Sequence, residues 1–77
     1  MNEEEKGLID FRELAIEKLE TCKSSEDVVR LYKIMLSGFS FMEALGFESS
    51  YGESRRPIVE ELTDIYLEKF RKKEKGE

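Results

Sequence analysis

Apolar residues recur along this chain at steps of three and four, and no segment alternates at steps of two. The first stripe is Leu8, Phe11, Ala15, Leu19 and Cys22, widened by Ile9, Leu14 and Ile16. That is the pattern of a helix with a broad buried face rather than a narrow coiled-coil seam. Asn2, with Glu5 three residues on, is a start signal, and Glu3, Glu4 and Glu5 suit the positive end of the helix dipole. The helix is expected from about Glu3 to Thr21. A second start lies at Ser24-Ser25-Glu26-Asp27, with Ser24 as cap and Asp27 reaching back. Val28, Leu31, Tyr32, Met35 and Phe39 follow as its stripe, with Val29, Ile34 and Leu36 beside it. Only a few residues separate the two helices, so they are expected to pack as an antiparallel hairpin.

The stretch from Leu36 to Pro57 breaks this rhythm. Gly38 offers a C-terminal cap, and Ser40-Phe41-Met42-Glu43 reads as a fresh capping box. A stop and a start therefore coincide. They predict a short helix from Phe41 to Leu45, closed by Gly46. The competing arrangement runs the second helix through Gly38 at a cost of about 1 kcal/mol. Glu48 to Glu53, with Ser49, Ser50 and Gly52, reads as loop. The last helix is expected to begin near Arg55 to Pro57, with Ser54 as cap and the proline in its first turn. Ile58, Leu62 and Ile65 form one of its rows; Val59, Tyr66 and Phe70 form the next. The expected fold class is all-α: a compact bundle of three main helices plus one short helix between the second and third. Residues 1–77 read as a single domain, frayed at about 1–2 and 72–77.

Composition changes this picture in two ways. A chain of 77 residues, 39% hydrophobic, sits near the lower limit for a self-sufficient core, which makes self-association a natural way to complete it. A net charge of −5 argues against non-specific binding to nucleic acid or to a membrane surface. No apolar run approaches the roughly 18 residues of a membrane span. The acidic N-terminus is unlike a signal peptide, and a lone cysteine makes no internal disulfide, so the expected compartment is a reducing cytoplasm. Gln, His and Trp are absent and Asn2 is the only Asn, against fifteen Glu and eight Lys. That bias matches a thermophilic habitat.

Candidate chemistry is sparse. Without His, the commonest general base and metal ligand is missing. Cys22, at the end of an apolar stripe, reads as a structural thiol. Glu13 with Glu17, Glu60 with Asp64 and Glu61 with Asp64 have helical spacing, but fifteen Glu on helices give such pairs by chance. There is no Ca²⁺ loop and no glycine-rich phosphate loop. No catalytic group, cofactor or metal is expected.

The irregular stretch carries the remaining ideas. Phe39, Phe41, Phe47 and Tyr51 crowd one corner, flanked by Met35 and Met42. They are either a lid on the core or an exposed patch for a partner or a second copy. The expected interface is Phe39, Phe41, Met42, Phe47 and Tyr51, with Tyr66 and Phe70 second. A helix, a glycine turn, then Ser54, Arg55 and Arg56 before another helix is the layout of a helix-turn-helix. The spacing fits poorly: about four residues before Gly46 stands the large Met42, and about six after it stands Gly52. Glu48, Glu53, Glu60 and Glu61 surround the arginines. The same Ser and Arg residues, at a helix start, have the makings of an anion site. The expected function is a non-catalytic protein-interaction or regulatory module, a homodimer. The alternative is a small DNA-binding transcriptional regulator with a degenerate helix-turn-helix, using Ser54, Arg55 and Arg56.

Overall fold

The computed structural model describes residues 2–74. Three helices follow in order: α1 (Glu3–Leu19), α2 (Ser25–Ala44) and α3 (Ser49–Glu74). No strand occurs among the described residues. The first two helices start where the capping residues place them. Asn2 Oδ1 accepts from the Glu5 N–H at 2.8 Å. Ser24 Oγ accepts from the Asp27 N–H at 3.3 Å, while Asp27 Oδ2 accepts from the Lys23 N–H at 3.0 Å. α1 closes without a glycine: the Thr21 hydroxyl donates to the Lys18 carbonyl at 2.6 Å, satisfying one of its last acceptors.

The short helix between the second and third does not exist. α2 runs unbroken through Gly38 and Ser40 to Ala44. Its stop is at Gly46, whose φ of 96° suits glycine alone. There the Phe47 N–H donates to the Met42 carbonyl at 3.1 Å and the Gly46 N–H to the Glu43 carbonyl at 3.0 Å, the paired bonds of a Schellman cap. Continuing through Gly38 costs about 1 kcal/mol. In return, Phe39 and Glu43, one turn apart, both reach α3. Burying one Phe is worth about 2–3 kcal/mol, so the unbroken helix wins.

The expected loop from Glu48 to Glu53 is also helical. α3 begins at Ser49, which places Pro57 inside the helix and Ser54 in its second turn rather than at its cap. Pro57 lacks an N–H for the Glu53 carbonyl, a cost of about 3 kcal/mol that the contacts of the preceding turns must offset. At 26 residues, α3 spans about 39 Å of the 45 Å long axis. Its helical structure includes Lys72 to Glu74, while residues 1 and 75–77, part of the ends expected to fray, lie outside the described residues.

The packing departs from a hairpin as well. α3 packs closely on both α1 and α2, whereas α1 and α2 meet each other mainly through side chains such as Phe11 and Phe39. Ala15, Leu19, Val28, Leu62 and Tyr66 form the core, with Ile16, Cys22, Leu31, Met35, Ile58, Leu67 and Phe70 against it. The molecule is broad and shallow, 45 × 30 × 17 Å, with a radius of gyration of 13.9 Å. A compact chain of this length has about 11 Å. Three helices opened around a central one leave more of each apolar stripe uncovered than a closed bundle would.

Candidate functional site

The aromatic corner splits in two. Phe39 is 5% exposed. Its ring lies 5.9 Å from that of Phe11 and 6.2 Å, edge-on, from that of Tyr51. Gly52 of α3 makes this possible, since a Cβ there would stand 3.2 Å from Phe39 Cβ. Tyr51 lies beneath Arg55, whose guanidinium sits 3.7 Å from the ring centre. Arg55 also donates to the Tyr51 carbonyl and to Ser54 Oγ, each at 3.1 Å. Arg56 reaches Glu43 at 3.6 Å and lies 5.9 Å from the Phe39 ring. The arginine pair therefore fastens the start of α3 to α1 and α2. Ser54 donates to the Tyr51 carbonyl within the helix. No helix N-terminus stands at these three residues, so the free N–H groups of an anion site are absent there.

Tyr66 is core: its hydroxyl donates to the Glu20 carboxylate. That bond, then burial and the Glu20 charge, push its pKa up to about 12. Burial first and Asp27 second raise that of Cys22. Both groups are held in their protonated forms at neutral pH. Phe70 and Met42 are half-buried. Among the described residues no group of three metal-ligating side chains converges, and no helix is long and apolar enough to cross a membrane.

Ile9 and Leu14 of α1, Val29 of α2 and Ile65 of α3 are partly uncovered, at 38–51%, but the most exposed large apolar side chains within the helices lie along one edge of α2. Ile34, Phe41 and Leu45 are 60%, 65% and 62% exposed. Steps of seven and four place them within about 40° of one another round the helix, roughly 120° from buried Val28 and Phe39. Phe47, just past the cap, is 60% exposed beside them in sequence. Gly38 lies between, with nothing within 4 Å of where its Cβ would be. The nine residues from Ile34 to Met42 contain no charge, in a chain that is 40% charged. At its N-terminal end the edge adjoins a shallow groove of about 220 Å³, where Ile34 and Leu31 meet Lys18 and Cys22 of the α1 end.

Of the expected interface residues, then, Phe41 and Phe47 are free, Tyr51 is exposed beneath Arg55, and Phe39 and Tyr66 lie inside. Ile34 and Leu45 were missing from that set. Their signal was present in the three-and-four rhythm from Ile34 through Gly38 and Phe41 to Leu45, which the supposed break at Gly38 hid.

The opposite end of the molecule carries the positive charge that Arg55 and Arg56 do not offer. Lys23, Lys69, Lys72 and Lys73 ring a cleft of about 630 Å³ floored by Leu19, Tyr66 and Phe70. No protein-family profile, curated protein or solved structure matches this chain.

Proposed function

We propose that this protein is a non-catalytic interaction module whose working surface is the exposed edge of α2. One observation carries the proposal: Ile34, Phe41 and Leu45 share a helix edge, with no charge from Ile34 to Met42, and each is at least 60% exposed. Single exposed apolar residues are ordinary on protein surfaces; an aligned row of large ones marks a contact surface. The perturbed ionisable groups point away from catalysis, since Tyr66 and Cys22 are both pushed towards the protonated form, where a thiol or phenol is least reactive. The DNA-binding alternative draws no support from the arginines on which it rests. Arg55 is stacked on Tyr51 and bonded to its carbonyl, and Arg56 is paired with Glu43, so both guanidiniums are already engaged within the molecule.

The test is a photo-crosslinking amino acid placed at Phe41, with Glu13 on α1 as the control position. Crosslinking from position 41 to a discrete protein species, whether another protein or a second copy, with none from position 13, is the expected result. An absence of crosslinks from position 41 in an extract of the source cells would overturn the proposal.

A further inference from the structure

Resting on the reading of the α2 edge as a docking surface, we infer that its partner is a second copy of this chain. The two α2 helices pair antiparallel about a two-fold axis at Gly38.

The edge is self-complementary about that glycine. Leu31 lies seven residues before Gly38 and Leu45 seven after it, while Ile34 lies four before and Phe41 three after. Turning the helix end over end about Gly38 therefore brings Leu45 opposite the other copy's Leu31. The same turn brings Phe41 opposite its Met35, one residue's rise, about 1.5 Å, from its Ile34. A two-fold interface requires this property: one patch must fit itself. Gly38 is exposed with open space where a side chain would stand, so two backbones can approach closely at the axis.

Charge permits the pairing. Two copies each carrying −5 repel, but the faces brought together hold no charged residue between Ile34 and Met42. Area supports it as well. At roughly 200 Å² per large side chain, exposures of 60–65% leave ~120–130 Å² each on Ile34, Phe41, Leu45 and Phe47. Two copies thus offer about 1,000 Å², and with Ser37 and Met42 added they approach the ~1,200 Å² at which specific interfaces begin. The shallow arrangement of three helices, whose core is short of apolar cover, gains what a fourth packed helix would supply.

The test combines solution mass with cysteine crosslinking in a Cys22→Ser background. Light scattering at micromolar concentration should give twice the 9.0 kDa of one chain, unchanged at high salt. Gly38→Cys should form a disulfide with itself on mild oxidation. Ile34→Cys should not, because its two copies stand about 12 Å apart along the helices, beyond disulfide reach. Gly38→Leu, which favours the helix but fills the crossing, should give a monomer with undiminished helicity. Phe41→Ser should weaken the dimer on the order of 100-fold, because each substitution acts twice in a symmetric interface. A monomeric wild type sinks self-pairing. A dimer that crosslinks through Ile34→Cys and not Gly38→Cys sinks the geometry. If the wild type is a monomer and position 41 still photo-crosslinks another protein, the interaction module stands and the second copy falls. If neither occurs, both fall together.

Discussion

Phe39 and Phe41 are two residues apart in one helix, and their environments are opposite. Phe39 is 5% exposed, enclosed by Phe11, Tyr51 and the bare backbone of Gly52. Phe41 is 65% exposed, between Ile34 and Leu45. Two residues turn an α-helix by about 200°, which is the whole cause of the difference. The same contrast separates the glycines. Gly52 has a neighbour 3.2 Å from where its Cβ would stand, a tight contact, and Gly38 has no neighbour within 4 Å. A cluster of aromatics in a sequence is thus a mixture of core and surface, and helical phase sorts it.

The largest expected effect separates Phe39 from Phe41. Phe39→Ala should cost about 3–5 kcal/mol, the range for emptying a buried aromatic site. Phe41→Ala should change the stability of the isolated chain by about 0.5 kcal/mol or less, as for exposed positions. Chemical denaturation of both variants, at concentrations low enough to exclude association, checks this. Equal losses would mean that the two rings are not on opposite sides of one continuous helix.

Next in size is Pro57. It interrupts the bonding of α3 between the corner and the core, at a cost of about 3 kcal/mol for a helix-interior proline. Pro57→Ala should therefore raise stability by about 1–3 kcal/mol, seen as a higher melting temperature. If α3 instead began at Pro57, as the sequence suggested, the same change would be nearly neutral or slightly harmful.

The glycines sharpen the contrast at about 1 kcal/mol. Gly38→Ala should stabilise the isolated chain by roughly that amount, since alanine favours the helix and meets open space. Gly52→Ala should destabilise it, because the clashing atom is Phe39 Cβ, fixed to the α2 backbone.

The smallest effect concerns Tyr66, in the core at the far end from the aromatic corner. Its pKa is raised to about 12 in the folded protein, above the ordinary tyrosine value near 10. The folded state thus holds the proton more tightly than the unfolded one. The associated stability is complete below about pH 10 and is lost as pH rises towards 12. Tyr66→Phe should remove that alkaline loss and cost about 1 kcal/mol at neutral pH, the worth of one hydrogen bond. Denaturation at neutral and alkaline pH measures both.

The all-helical class was legible, because Leu8 to Cys22 and Val28 to Phe39 keep an uninterrupted helical period and Asn2 and Ser24 announce their starts. The caps proved local: each needs only residues within one turn. What failed was the stretch from Gly38 to Pro57. Gly38, Ser40 and Glu43 form valid stop and start signals, worth about 1 kcal/mol apiece. They were outweighed by the burial of Phe39 against Gly52, a contact between residues thirteen apart that no local rule contains. Ser49 to Arg56 misled for the same reason. Their helix stands because Tyr51, Arg55 and Arg56 engage Phe11, Phe39 and Glu43 on other elements. The exposed edge was half legible, since Phe41 and Phe47 stood out by type, while Ile34 and Leu45 needed the continuous helix to align with them.

The most direct test of the α2 edge as a working surface is the melting temperature as a function of protein concentration, for the wild type and for Phe41→Ser. Association that binds only folded chains raises the melting temperature with concentration. The wild type should show that rise, and Phe41→Ser should not, while the two converge at the lowest concentration. A wild type whose melting temperature is independent of concentration, together with a Phe41→Ser variant that melts well below it, would contradict the account and place Phe41 in the core.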